Sequence, residues 1–469
     1  MRMRCESLLA SPGSLVAIVV LTLVSLPCWC QAPPALALAT LPQGVTPQNT
    51  PQNPAPQVPP PPGTPQPLTL QQAENIAIQN HPRIQSSQAL AAAAKQQVRE
   101  IQSTYYPTVY GSLTGVEAES GSRVAAGALN NPIIYDRYAN GVTVNQLVSD
   151  FGRTHELVKS FQLQAQAQQE NVVTSRASVI LAVDQAYFAV LKAQSVLQVA
   201  QETVKARQVV VDQITALASN QLKSDLDVSF ASVDLSQAQL LLIQAQNDLQ
   251  VSFADLSTAL GYSDERTFTL ADEPLPAAAP LDLAQSITQA LQNRPEIISQ
   301  RLNLSSANSF ATAERDLYFP TVSGTGVAGV TPFRQDPLTE RYAAAGFNVN
   351  IPIFNGRLFG ARESEAKYRA QAEQQNLRDL QDNVVRDVRT AWLNANSAFD
   401  RLSVTAQLLA QATQALNLAQ ARYNLGLSSI VELTQGQLNL TQAQIANVSA
   451  TYDYQTQLSI LNFTMGNIR

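Results

Sequence analysis

Cysteine is confined to Cys5, Cys28 and Cys30, histidine to His81 and His155, and methionine to Met1, Met3 and Met465. A chain with so few of these residues beyond its first 30 positions offers no disulfide framework, no thiolate or imidazole metal site and no methionine relay for soft metals. Charged residues make up only 14% and the net charge is −6, which argues against recognition of a phosphate backbone and so against a nucleic-acid partner. Beyond the N-terminal region no unbroken apolar run reaches 18 residues, so no segment reads as a membrane-spanning helix; strands are not excluded by this. No phosphate loop or nucleophile elbow occurs. His81 reads as a helix-end residue before Pro82, His155 stands alone, and Asp225 and Asp227 fall in a turn without supporting groups. No catalytic residue, metal or cofactor is therefore expected, and the chain reads as a non-enzyme.

The N-terminus carries Arg2 and Arg4, an apolar run from Leu15 to Leu26 and the small-residue stretch ALALAT at 35–40. This is the pattern of a secretory signal peptide over residues 1–39, cleaved after Ala37 or Ala39. All three cysteines precede that site, and the mature charge becomes −7 through loss of Arg2, Arg4 and Glu6. Lipidation at Cys28 or Cys30 is disfavoured by Pro27 and Trp29, where a small residue is needed. Residues 40–67 form a proline-rich, uncharged linker expected to be extended.

The remainder repeats itself, in segments 68–280 and 281–469. LQQAENIAIQNHPRI from Leu70 faces LAQSITQALQNRPEI from Leu283, a shift of 213 residues that also carries Pro107 onto Pro320 and Gly111 onto Gly324. Later the shift is 204 to 205, with DFGR ending at Arg153 set on FNGR ending at Arg357, and Gly261 on Gly466. The change of about eight residues falls near 118–137 and 331–341, as length variation does in loops. Each half reads as helix, two strands, very long helix, break and long helix. Thr154 to Ala216 and Ala361 to Leu425 contain neither proline nor glycine, which predicts rods of roughly 95 Å.

A coiled-coil scaffold would account for the helices alone. The strands argue otherwise. Ala345, Phe347, Val349, Ile351 and Ile353 alternate with Gly346, Asn348 and Asn350; Val142 and Val144 alternate with Thr143 and Asn145; Thr321, Ser323 and Thr325 share a face. One apolar and one uncharged polar face is the pattern of a barrel with lipid outside and water inside. Four strands cannot close a barrel, so oligomerisation is expected.

The duplicated starts, the YYPTV and YFPTV helix-to-strand junctions, the DFGR and FNGR strand-to-helix junctions and ARYNLGLSSIVELTQGQLNLTQAQ at 421–444 together resemble the TolC-like outer-membrane efflux and secretion channels, from Leu68 to Gly466. The resemblance implies an α+β membrane protein: a homotrimer whose long helical hairpins form a periplasmic tunnel and whose four strands per chain build a 12-stranded outer-membrane barrel. It further implies export of small molecules or proteins delivered by an inner-membrane transporter through a periplasmic adaptor. Adaptor contact and gate would lie at the interhelix tips. In the second half that tip holds Leu425, Gly426 and Leu427. In the first half it holds Asn220, Gln221 and Leu222, where Gln221 replaces the glycine and Asn220 is expected to take the left-handed conformation instead. By position after Gly426, Glu432 matches the first acidic ring of the gate, while the second ring position is the uncharged Gln435. Tyr423 and Asp227 match a gate-holding pair, and Ser428 stands where an arginine would complete a second tie. Tyr105, Tyr106, Tyr318 and Phe319 are expected at the membrane interface.

Overall fold

The computed structural model describes residues 67–123, 133–275 and 282–468. The expected signal peptide and nearly all of the proline-rich linker lie outside the described residues. The first half comprises α1 (Leu70–Asn80), α2 (Pro82–Gln102), β1 (Thr108–Val116), β2 (Arg137–Ser149), α3 (Arg153–Ser219) and α4 (Asp225–Ala259). The second repeats this order as α5 (Leu283–Asn293), α6 (Pro295–Arg315), β3 (Thr321–Arg334), β4 (Arg341–Asn350), α7 (Leu358–Asn424) and α8 (Ile430–Thr464). Every element up to the first strand start is displaced by 213 residues, and both long helices and their partners by 205. The difference is taken up in the strand hairpins.

The opening helix expected in each half is in fact two. His81 and Arg294 adopt extended backbone (ψ 123° and 124°), because the following Pro82 and Pro295 disfavour a helical residue before them. His81 caps the restart, its Nδ1 accepting from the Arg83 N–H at 3.1 Å, as a helix-end residue should. The C-terminal turns of α4 and α8 close on these breaks. Gly261 (φ +84°) and Gly466 (φ +75°) have left-handed backbone, and a Cβ on either would lie 3.0 Å from the backbone of His81 or Arg294. Glycine is thus required twice over, by conformation and by close approach.

α3 and α7 are each 67 residues long, about 100 Å at 1.5 Å per residue. Their entry shows how the halves correspond. Phe151 (φ 54°) and Gly152 (φ 114°) precede α3, and Gly356 (φ 64°) and Arg357 (φ 70°) precede α7. Setting DFGR on FNGR letter by letter pairs Gly152 with Gly356, but the backbone pairs Gly152 with Arg357. Two successive left-handed residues are needed, and the glycine occupies a different one in each half. In the first, Asp150 fixes the turn by accepting from the Thr154 N–H at 2.7 Å.

The hairpins zip through small residues at a seven-residue spacing. Ala231, Ala238, Ala245 and Ser252 are buried along α4, and Gly436, Ala443 and Ala450 at the same places along α8. Facing them lie Ala200, Arg207 and Ile214 on α3, and Thr405, Ala412 and Ala419 on α7. A strict seven-residue repeat keeps such a seam facing its partner in a left-handed coil, and small side chains let the backbones approach. α3 also packs on α8, which joins the two hairpins side by side.

The strands form one antiparallel sheet in the order β1-β2-β3-β4. Its register sets Val109, Val144, Gly326 and Ala345 in one row and Thr108, Asn145, Thr325 and Gly346 in the next, so the expected apolar and polar faces coincide across all four strands. Within the polar row Thr325 Oγ1 donates to Asn145 Oδ1 at 2.8 Å. β4 stops at Asn350, short of the expected Ile351 and Ile353, because Pro352 cannot donate to a ladder.

The expectation that no helix is apolar enough to cross a membrane is corrected. α3 and α4 each hold an 18-residue window of mean hydropathy 1.2, reached with interspersed polar residues rather than an unbroken run. Only 11% of the α4 window is buried, which leaves Phe230, Val233, Leu240 and Ile243 exposed on a single chain.

Candidate gate at the helical tips

Both long hairpins turn by the same hydrogen-bond pattern. In the first, the N–H of Leu222 donates to Leu217 O and that of Gln221 to Ala218 O, both at 2.9 Å; in the second, Leu427 donates to Arg422 O (2.9 Å) and Gly426 to Tyr423 O (3.0 Å). This is the Schellman closure, which requires one left-handed residue. Gly426 supplies it at φ 70°. In the first hairpin Gln221 itself supplies it at φ 61°, not Asn220 as expected. Asn220 keeps φ −93° and uses its Nδ2 to donate to Ala216 O at 2.7 Å, so the helix end holds it and the strain passes to Gln221.

Inside the tip, Ile214 (α3), Ala231 (α4), Tyr423 (α7), Ile430 and Leu433 (α8) make one apolar knot drawn from all four helices. Tyr423 is 7% exposed. The Lys223 ammonium lies 4.1 Å from the centre of its ring, and its hydroxyl is buried with no hydrogen-bond partner. Burial pushes the phenol up, with the Asp227 charge adding to it. The anticipated Tyr423–Asp227 tie is therefore not a hydrogen bond. Asp227 is engaged elsewhere: it accepts from the Ser224 N–H at 3.2 Å and hydroxyl at 3.1 Å, closing a capping box at the start of α4. Ser428, where a second tie was missing in the sequence, has a buried hydroxyl without a partner.

Glu432, the expected ring acid, meets Arg422 across the turn, Nε to Oε1 at 3.3 Å. Gln435 lies one turn further along α8, donates to Asn439 Oδ1 at 2.8 Å and lines a cleft of about 450 Å³ between α3, α4 and α8. The same cleft holds Arg207 and Asp234. Arg207 is 8% exposed and occupies a seam position where the second hairpin has Ala412. Burial lowers its pKa while Asp234 opposes that, and burial raises Asp234 while Arg207 opposes that. Sequence reasoning missed Lys223, Arg422 and Arg207. The seven-residue seam was the available signal for Arg207, since it is the one charged residue among the small and apolar seam residues.

Leu222, Leu425 and Leu427 project from the tips with two-thirds or more of their surface exposed. At the opposite end of the long helices, Tyr105, Tyr106, Tyr318 and Phe319 are all exposed where the short helices pass into β1 and β3. Phe151 lies tilted against Phe319 (6.3 Å between centroids) and Phe359 meets Tyr318 edge to face (5.8 Å), which extends the aromatic band beyond the four expected residues.

A four-stranded sheet with one apolar face, standing on duplicated helical hairpins of about 100 Å, defines an outer-membrane channel with a periplasmic helical part. The family of outer membrane efflux proteins matches residues 74–262 and 286–467, and the chain belongs to that family. It is 22% identical to the outer membrane protein TolC of Escherichia coli K12, over 82% of this chain and 81% of that protein. It is 24% identical to the outer membrane efflux protein BepC of Brucella suis, over 82% of each. The crystal structure of the outer membrane protein VceC from Vibrio cholerae shares the fold with a TM-score of 0.73, at 17% identity, over 85% of this chain and 96% of that one. The protein is thus an efflux channel of the outer membrane.

Proposed function

We propose that three copies of this chain close a 12-stranded barrel in the outer membrane and a 12-helix tunnel below it, gated at the tips, serving as the passive exit duct for small molecules or proteins. The observation that carries this is the four-stranded sheet, whose β1 and β4 end the strand order. Unpaired edges are not tolerated in lipid, and cyclic assembly removes all of them at once. The exposed apolar residues of α4 supply a second surface for the same assembly.

In this reading each chain is two repeats, 68–280 and 281–469, behind a cleaved leader (1–39) and a spacer (40–67). The leucine-bearing tips receive a periplasmic adaptor, which links the duct to an inner-membrane transporter. The aromatic band around Tyr105, Tyr106, Tyr318 and Phe319 sits at the membrane interface. The chain itself performs no bond chemistry; its polar barrel face and tip residues select what passes.

Purified protein in detergent should run as a trimer by light scattering and give discrete conductance steps in planar bilayers. A water-soluble chain without conductance would instead favour a secreted coiled-coil scaffold.

A further inference from the structure

In the middle of the rod a buried carboxyl group, Asp184, meets a half-buried one, Glu74. Asp184, near the midpoint of α3, is 4% exposed, and the Glu74 carboxyl of α1 hydrogen-bonds to it. Ser459 of α8 also hydrogen-bonds to Asp184, so the contact joins α1, α3 and α8. With both carboxyls ionised, Asp184 Oδ1 is buried without any donor. A proton on either group supplies one.

The surroundings make that proton hard to replace. Glu273 approaches from the segment after α4 and accepts from the Leu70 N–H at 3.4 Å; Asp272 beside it takes the Tyr452 hydroxyl at 3.4 Å. The Tyr187 hydroxyl lies against the carbonyls of Leu68 (2.8 Å) and Ala271 (2.6 Å). α4 and its C-cap contribute apolar side chains to this core, Phe253, Leu256 and Leu260 buried and Leu249 and Ala259 partly so. Two cations next to residues of this core are committed elsewhere: Lys192 to Asp453 at 2.9 Å, and Arg266 over the Tyr262 ring at 3.8 Å. Among the described residues no ion pair reaches Glu74 or Asp184.

The duplication provides an internal control. At the corresponding places the second half has Ile287 and Arg389, and Ile287 packs in an apolar cluster with Ala290, Ile297, Val384 and Val388. The scaffold therefore closes at this level without an acid pair. The pair is a feature of the first half alone.

We propose that Glu74 and Asp184 share one proton, and that this proton fastens α1, with the paired strap of residues 67–70 and 268–273, to the middle of the rod, its hold weakening as the pH rises from acidic to neutral. Burial, with the neighbouring Glu74 charge adding and the Ser459 hydrogen bond opposing, pushes Asp184 up to about 7; Glu74 is raised by burial, with Glu273 adding. A group whose folded pKa is raised contributes stability in full below its unfolded value, and loses it as pH climbs through the folded one. The clasp is therefore strongest in acidic medium: from the ordinary carboxylate range up to about 7 its opening equilibrium rises by up to about tenfold per pH unit, and above about 7 it levels off.

Amide hydrogen exchange of the full-length protein in detergent tests this at about pH 6, 7 and 8, corrected for intrinsic exchange. Protection of the α1 amides should fall about fivefold between the first two points and less than about twofold between the last two, while that of its counterpart α5 stays level. Glu74→Gln, which offers the ionised Asp184 a donor, and Asp184→Asn, which removes the buried titrating group, should each abolish the pH dependence. Equal pH dependence of α1 and α5, or its persistence in both variants, would overturn the proposal. So would a change in α1 protection on adding calcium or a chelator at constant pH, since the pair would then hold a metal and not a proton.

Discussion

The Lys223 ammonium rests 4.1 Å above the Tyr423 ring, tying the turn of the first hairpin to the last turn of α7. Partly desolvated cation–π contacts contribute about 1 kcal/mol. Lys223→Ala should therefore raise the frequency of tip opening about fivefold in single-channel recordings. Tyr423→Phe should leave it unchanged, because the hydroxyl makes no hydrogen bond. A marked opening in Tyr423→Phe would instead restore a hydroxyl-to-Asp227 tie.

Arg422 neutralises Glu432 within its own chain. If three Glu432 carboxylates ring the axis, Glu432→Gln should reduce block by multivalent cations, and Arg422→Ala should deepen it by freeing the carboxylates. Bilayer conductance titrated with a trivalent cation reads both; an unaltered block in Glu432→Gln would remove this residue from the ring.

Arg207 and Asp234 make the first hairpin depart from the second, which carries Ala412 and Asn439 at those positions. Arg207→Ala alone should destabilise by about 1–3 kcal/mol, since it leaves the Asp234 carboxylate partly buried and uncompensated. The double substitution Arg207→Ala with Asp234→Asn should recover most of that loss, as shown by thermal unfolding in detergent. Equal losses in the single and double variants would mean that the two residues are not coupled.

Gln221 takes a left-handed conformation that costs a residue with a Cβ roughly 1 kcal/mol. Gln221→Gly should stabilise the first turn by about that amount, and Gly426→Ala should destabilise the second by about 1–2 kcal/mol. Exchange protection of the amides flanking each turn gives the sign directly.

Much of the architecture was legible because it rests on local or repeating rules. Proline positions, proline-free and glycine-free stretches of over sixty residues and period-two strands each mark an element wherever they occur. The duplication allowed each half to check the other. Identical letters nonetheless misled at the strand-to-helix junction, where glycine can occupy either of two left-handed positions and Gly152 corresponds to Arg357. They also misled at the first tip, where the side chain of Asn220 holds the helix end and passes the strain to Gln221.

The tip contacts were beyond sequence reasoning for a different physical reason. Arg422 reaches Glu432 only once the hairpin has turned, and Lys223 reaches Tyr423 only when the two hairpins lie side by side through α3 and α8. The shared environment of Glu74 and Asp184 likewise arises from helices more than a hundred residues apart closing around Tyr187. Periodicity and backbone constraint are written residue by residue, so the sequence by itself determined the rods, strands and turns. Burial and charge pairing depend on what the neighbouring helix places opposite, so only the tertiary structure decided which side chains tie the tips and which acids meet inside the rod.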